Sequence, residues 1–288
     1  MKSAAIEKIV EDTIKKFKLF NKKTKVAVAV SGGKDSTVLL YILKKLGYNV
    51  RAITVDAVIG NYTKENLKNI KQVCKDLNVK LDVISFKDEF GYSLCYIRSL
   101  LNSKGVKLNS CTICGVLRRQ IINKYAKKMK FERVTTGHNL DDEAQTTMMN
   151  LFRDDIDRMM RQGPWVGVID IKNFVPRVKP LYFISEDDIK KYSQEKNFPV
   201  VYDKCPCSVD AYRNSFKEFQ AELKKMSKKL DKNIVDFALE KINENKKDYK
   251  ASEIQICEIC GEPCNSKVCK ACQIINTLKG VKNGSLSR

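Results

Sequence analysis

The feature that most limits how this chain can fold is a five-residue apolar run, Val26-Ala-Val-Ala-Val30, followed at once by Ser31-Gly-Gly-Lys-Asp-Ser36 and then by helix-patterned sequence. An apolar run rich in β-branched residues predicts a strand buried on both faces, as in a parallel sheet covered by helices on each side. The glycine turn lies where a helix begins, so unpaired backbone N–H groups and the positive helix end favour an anion. Gly32 and Gly33 let the backbone close on a phosphate. Lys34 and the hydroxyls of Ser31 and Ser36 supply charge and hydrogen bonds. The spacing Gly-x4-Gly-Lys-Ser/Thr is absent, so this is not the common nucleoside-triphosphate loop. A glycine turn without function is the plain alternative.

The same alternation continues along the chain. Ile6, Ile9, Val10, Thr13, Ile14 and Phe17 recur at helical spacing and predict a core-covering helix within Met1 to Phe20. Helices are predicted for Thr37 to Leu46, Asn66 to Leu77, Val116 to Met129 and Asp141 to Phe152, and strands for Val50 to Val55, Lys80 to Phe86 and Arg133 to Thr136. The predicted fold class is therefore α/β, a doubly wound parallel sheet. Gly163-Pro164, Gly167, Pro176 and Pro180 predict a surface loop over Asp155 to Pro180. From Ala211 to Lys250 the chain reads as helical and lysine-rich. Phe216, Phe219, Leu223, Met226 and Leu230 form an apolar side, and Lys225, Lys228 and Lys229 form a solvated face or an RNA contact.

Charge and cysteine content narrow the chemistry. Lys plus Arg number 54 against 34 Asp plus Glu, a net charge of +20, which favours a polyanion, nucleic acid first. No run reaches the roughly 18 apolar residues of a membrane span. The first twenty residues lack the apolar core of a secretory signal, so a cytoplasmic location is expected and disulfides are not. Eleven cysteines then need another purpose, and eight are grouped: Cys111 and Cys114; Cys205 and Cys207; Cys257, Cys260, Cys269 and Cys272. His138 is the single histidine, which excludes two-histidine mechanisms and leaves coordination to thiolates.

Cys257-x2-Cys260-x8-Cys269-x2-Cys272 has the spacing that wraps four thiolates around Zn²⁺ in a closed, structural site. Cys264 is left over as a bystander or competing ligand. Cys111-x2-Cys114 has no second pair of that kind, and Cys205 and Cys207 are its closest partners in type. Three ligands would hold an iron–sulfur cube with one iron open to an external atom. A redox dithiol and a second zinc site are the rivals. Cys74 and Cys95 lie in apolar patterns and read as core thiols.

A further stretch, Thr136-Gly-His-Asn-Leu-Asp-Asp-Glu143, follows a predicted strand and so shares the carboxyl edge of the sheet with the glycine loop. Asp141 and Asp142 either cap the next helix or help hold Mg²⁺ against phosphate. His138, beside Gly137, either packs or borders a nucleotide. Asp56, ending the second strand after Val55, is a candidate acceptor for adenine or ribose, with a turn as the plain alternative.

Together these residues resemble the TtuA-type tRNA 2-thiouridine sulfurtransferases, a branch of the PP-loop ATP pyrophosphatases. The likeness runs from about Lys25 to Cys272. It rests on SGGKDS at Ser31 to Ser36, Cys111-Thr-Ile-Cys114-Gly, TGHNLDDEA at Thr136 to Ala144, Arg161-Gln-Gly-Pro164, Arg177-Val-Lys-Pro180, Cys205-Pro206 and the terminal cysteine quartet. It implies a PP-loop domain over 25–210 with a nucleotide site at Val30 to Ser36, Val55, Asp56, Gly137, His138, Asp141 and Asp142. A helix over 1–24 would precede that domain. After it would come a basic helical segment (211–253), a small zinc ribbon (254–276) and a polar tail (277–288).

The implied cofactors are ATP, Mg²⁺, a [4Fe-4S] cluster on Cys111, Cys114 and Cys205, and Zn²⁺. Asp142 takes the catalytic acidic position, and Arg118 stands where lysine is expected, so electrostatic positioning fits it better than base catalysis. The implied reaction adenylates a tRNA uridine and replaces the activated oxygen with sulfur, from a ubiquitin-like carrier or free sulfide. A homodimer is compatible. Cys207 and Cys264 are extra to the pattern, and the additional N-terminal zinc finger common in relatives has no counterpart before the first helix.

Overall fold

The structure, a computed structural model, describes residues 1–166, 174–209, 211–245 and 255–280. The chain opens with α1 (Ser3–Lys16). It then alternates through β1 (Val26–Ala29), α2 (Lys34–Lys45), β2 (Val50–Asp56), α3 (Gly60–Asp76) and β3 (Leu81–Ser85). Two helices follow, α4 (Phe86–Phe90) and α5 (Leu94–Ser103). After them come α6 (Ser110–Lys128), β4 (Arg133–Thr136), α7 (Leu140–Leu151), α8 (Ile156–Met160), β5 (Trp165–Val166), β6 (Arg177–Val178) and α9 (Glu186–Glu195). The C-terminal part holds a 3-10 turn at Pro206–Ser208, α10 (Tyr212–Met226), α11 (Leu230–Asn245), the strands β7 (Gln255–Ile256) and β8 (Pro263–Cys264), and α12 (Lys270–Leu278). No helix among the described residues is long and apolar enough to cross a membrane.

Six strands form one sheet in the order β3-β2-β1-β4-β6-β5. β1 pairs in parallel with β2 on one side and β4 on the other, with Ala29 level with both Ile53 and Thr136. Both of its faces are buried, as the apolar run predicts. Val28 and Val30 pack with α1, α2 and α9, while Ala27, Ile53 and Val55 pack with α5, α6 and α12. The strand order reverses between β1 and β4, and in such sheets a crevice opens there beyond the carboxyl ends of the strands.

Several expectations need correction. The sheet is parallel except at its edge, where β5 runs antiparallel to β6. The segment predicted as a surface loop over Asp155 to Pro180 therefore supplies a short helix and the last two strands of the six-stranded sheet; Gly167 lies outside the described residues. Strands of two residues are too short for periodicity to reveal. Helix α3 starts at Gly60, six residues before the expected Asn66, and α6 starts at Ser110, so both Cys111 and Cys114 sit in its first turns. Cys74 is a buried core thiol as expected, but Cys95 is exposed. The polar tail from 281 onward also lies outside the described residues.

On α10, Phe216 is buried, whereas Phe219 and Met226 are exposed at 45% and 85%. The buried seam is polar instead. Gln145 Nε2 donates to Gln220 Oε1 at 2.7 Å, and Lys224 pairs with both Asp141 and Asp231. Burial raises the pKa of Asp231, and only Lys224 and Gln220 hold it down. Removing that cation strands two buried carboxylates, a change that costs about 3–5 kcal/mol in full burial. Lys224 keeps a third of its surface in solvent, so Lys224→Met is expected to lower stability by about 2–3 kcal/mol, read as a shifted urea midpoint.

Candidate active site

Two loops meet at the strand-order reversal. Val30, buried, donates its N–H to Ile53 O at 2.9 Å and ends the strand under the glycine loop. Ser31 N–H donates to Ser36 Oγ at 3.1 Å, and Ser36 Oγ donates to Gly33 O at 3.2 Å, which closes the loop on itself. Gly32 has φ +89°, and a Cβ there would lie 2.4 Å from Asn66 Oδ1, so glycine is required on both conformational and steric grounds. Helix α2 starts with Gly33 as its N-cap, without a side-chain cap, so its first N–H groups remain available to an anion. Lys34 Nζ lies 2.9 Å from Glu186 Oε1 and 3.1 Å from Asp35 Oδ2.

The loop after β4 is pressed against this one. A Cβ on Gly137 would stand 2.8 Å from Ser36 N and 2.9 Å from the Asp35 carbonyl carbon, so the approach depends on glycine. Asn139 caps α7 and forms a reciprocal capping box with Asp142. Its Nδ2 also donates to Asp35 Oδ1 at 3.0 Å, which ties Asp35 and Asp142 to one linker. Both carboxyls are raised above the usual aspartate range, first by burial and, at Asp35, also by the charge of Asp142. Lys34 pulls Asp35 down, and Arg213, 3.6 Å from Asp142, pulls that group down. Two proton-favouring carboxylates at a phosphate loop match the donor set of Mg²⁺.

Asp141 stands elsewhere in the network. Its oxygens are engaged by Lys224 and by the Glu186 N–H, the latter at 2.8 Å. His138 Nδ1 is 2.8 Å from Thr136 Oγ1. His138 is exposed; partial desolvation and the charges of Lys179 and Arg213 push its pKa below the ordinary imidazole value, so the ring is neutral at pH 7. Lys179 in turn makes a 2.7 Å ion pair with buried Glu143.

The thiol side adjoins the same loop. A cleft of about 360 Å³ is lined by Ser31, Val55, Asp56, Arg118 and the cysteines Cys111, Cys114, Cys205 and Cys207, with Tyr62, Asn66 and Leu67 of α3 among the others. Asp56 Oδ1 accepts from Val58 N–H at 2.7 Å, a turn that holds the carboxylate at the strand end. Cys111 and Cys114 are three apart near the N-terminus of α6, so they share a face of that helix. Arg118 Nη2 donates to Cys114 Sγ at 3.7 Å. Cys205 precedes the Pro206 turn, and Ser208 N–H and Oγ both donate to its carbonyl, at 2.9 and 2.6 Å. Cys207 lies with its Sγ 3.9 Å from Cys95 Sγ, an association that places Cys95 beside the site.

Among the described residues, only Cys257, Cys260, Cys269 and Cys272 bring three or more candidate ligand atoms within 4.8 Å of one another. A single tetrahedral zinc with bonds of about 2.3 Å needs sulfurs about 3.8 Å apart, and Cys260 and Cys269 are already at 3.6 Å. The quartet fits zinc, and Cys264 stands outside it, its thiol donating to Ser266 O at 2.8 Å. Among the described residues the cleft thiols form no group of three within 4.8 Å, although Cys95 and Cys207 stand 3.9 Å apart. Their all-sulfur character suits the ligand set of an iron–sulfur cluster. The ribbon also packs into the main core, where Cys257, Ile274 and Leu278 join α5 and α6.

The structure brings Ser31, Asp56, Arg118, Cys111, Cys114 and Cys205, all singled out from the sequence, to the wall of one cleft. Sequence reasoning missed Arg213, Glu186, Asn66 and Cys95, which carry no local motif. It also passed over Asn139, whose residue type is among those favoured at a helix N-cap, and assigned capping to Asp141 or Asp142 instead.

A family model described as a PP-loop domain matches residues 4–222. The chain is 31% identical over 267 residues to a tRNA-5-methyluridine(54) 2-sulfurtransferase of Pyrococcus horikoshii, covering 93% of this chain and 83% of that protein. It is 32% identical over 298 residues to cytoplasmic tRNA 2-thiolation protein 1 of Caenorhabditis elegans, covering 99% and 78%. Among solved structures it superposes on the U34-tRNA thiolase NcsA of Methanococcus maripaludis with its [4Fe-4S] cluster. That match has a TM-score of 0.80, 27% identity, and coverage of 99% of this chain and 90% of that one.

Proposed function

The chain belongs to the PP-loop ATP pyrophosphatases of the tRNA 2-thiolation family, and from that premise we propose that it converts a tRNA uridine to 2-thiouridine, consuming ATP to AMP and pyrophosphate. The observation that carries this reading is a single cleft lined by both the phosphate-loop residue Ser31 and the cysteines Cys111, Cys114 and Cys205. ATP activation and sulfur delivery must act on the same carbonyl carbon, and a shared cleft meets that demand.

The loop Ser31 to Ser36 holds the ATP phosphates with its N–H groups and with Lys34, which must leave Glu186 in part to reach them. Asp35 and Asp142 would hold Mg²⁺, which would supply positive charge against the phosphate oxygens. Val55 and Asp56 border the nucleoside. Arg213 fixes Asp142 by donating to its carbonyl at 3.2 Å and to Thr146 Oγ1 at 3.0 Å. AMP on the uridine oxygen turns a poor leaving group into a good one, and Arg118 stabilises the negative charge that develops as AMP departs. Cys111, Cys114 and Cys205 would hold a [4Fe-4S] cluster, which would supply an iron without a protein ligand for the incoming sulfur. His138, neutral, donates or accepts without repelling the Mg²⁺ charge.

Anaerobically reconstituted protein supplied with ATP, sulfide and tRNA is expected to form AMP and 2-thiouridine together, measured by nucleoside mass spectrometry. AMP release without any thiouridine would sink the assignment. Full activity in iron-free protein would instead favour a Cys111–Cys114 dithiol enzyme.

Zinc in the C-terminal quartet is structural in this reading. Its removal by a chelator is expected to expose the ribbon to protease before the rest of the chain, because such a site contributes on the order of 10 kcal/mol to local folding.

A further inference from the structure

The net charge of +20 is unevenly available. On α10 and α11 many lysines are already committed: Lys224 to Asp141 and Asp231, Lys225 to Glu222, Lys232 to Asp236 and Lys241 to Glu244. Helix α3 is different. Lys64, Lys68, Lys71 and Lys75 recur at steps of four, three and four residues, which places them on one stripe of the helix. All four are exposed, and no carboxylate among the described residues pairs with any of them. The stripe is about 16 Å long at a rise of about 1.5 Å per residue.

Its position matters as much as its charge. The lysines line a shallow groove together with Leu67 and Gln72. Leu67 is also a wall of the catalytic cleft, so the groove and the cleft share a rim. Leu94 forms part of the same cleft, and in sequence it lies between Tyr92 and Tyr96. Those two rings stack on each other at 4.9 Å and 23°, yet remain 38% and 53% exposed. Exposed stacked tyrosines offer a platform for a nucleic-acid base.

We propose that the α3 stripe binds the phosphodiester backbone of the tRNA strand that delivers its uridine to the cleft, and that Tyr96 stacks a neighbouring base. This rests on the tRNA reading above and adds the surface that holds the substrate. Four lysines, each neutralising a phosphate, account for a slope of about 3 in the dependence of log affinity on log salt.

The experiment uses the full chain with all four lysines changed (Lys64→Gln, Lys68→Gln, Lys71→Gln and Lys75→Gln) and measures tRNA binding by fluorescence anisotropy across a salt series. The expected result is a salt slope lower by about 3 and an affinity at low salt reduced at least tenfold, with ATP affinity unchanged. A charge-matched control (Lys225→Gln, Lys228→Gln, Lys229→Gln and Lys232→Gln) is expected to keep most of the wild-type slope. An unaltered slope in the α3 variant, or equal losses in both variants, would overturn the proposal, because either result assigns binding to bulk charge or to another face. Tyr96→Ala is expected to weaken binding roughly tenfold at an unchanged slope, with Tyr96→Phe restoring it; an unchanged affinity would remove the stacking role. Wild-type protein that binds tRNA through α3 without forming thiouridine would defeat the catalytic reading and leave the docking surface standing.

Discussion

Cys205→Ala is expected to abolish tRNA thiolation and to lower bound iron to a small fraction of the wild-type content, whereas Cys207→Ala retains iron and most of the activity. The two cysteines are one residue apart, so the contrast is a stringent one. Cys205 stands immediately before a proline-initiated turn whose Ser208 donates to its carbonyl twice, a geometry that fixes its backbone at the cleft. Cys207 instead offers its carbonyl to Cys111 Sγ at 3.8 Å and its thiol to Cys95. A three-cysteine cluster that loses one anchor has too few protein ligands to persist, so the effect on iron is close to all-or-none. Iron and acid-labile sulfide analysis of anaerobically purified variants decides the matter independently of activity. Equal iron loss in the two variants would show that the turn uses both sulfurs.

Gly137→Ala is the second change with a large expected effect, and it acts on ATP chemistry and not on iron. The added methyl would meet backbone atoms of Ser36 and Asp35 inside 3 Å, and backbone, unlike a flexible side chain, cannot swing away. The loop after β4 must then retreat from the phosphate loop, which separates Asp142 from Asp35. A displacement of about 1 Å in such a site costs on the order of a hundredfold in rate. AMP formation is expected to fall by at least that factor, while iron content and overall fold are preserved, as judged by circular dichroism. Wild-type turnover in this variant would mean that the two loops do not act together.

The contrast between these two positions shows how much the sequence carried. Gly137 was legible as part of a motif, but why it must be glycine was not, since the atoms it touches are a hundred residues away. Likewise Asp141 and Asp142 look equivalent as adjacent acids at a helix start. Only the packing of α10 against α7 makes one a partner of Lys224 and leaves the other beside Asp35. Cys95 reads as a core residue because it lies in an apolar pattern beside Leu94; in the structure Leu94 and Ile97 are buried, and helical geometry turns Cys95 the other way.

By itself the sequence determined whatever depends on local order. That includes the buried strand and its anion loop, the alternation that makes a doubly wound sheet, the cysteine quartet at zinc spacing, and the pairing of two distant cysteine groups by chemical type. The tertiary structure decided what depends on distance in space: the reversal of strand order that puts Ser31, Arg118 and Cys205 in one cleft, the choice of Asp35 as the companion of Asp142, the antiparallel edge strand, and the lysine stripe that borders the cleft. Backbone conformation and metal spacing are set by near neighbours along the chain. Crevices, shared carboxylates and unpaired charge arise only when remote segments pack and either satisfy or leave open one another's polar groups.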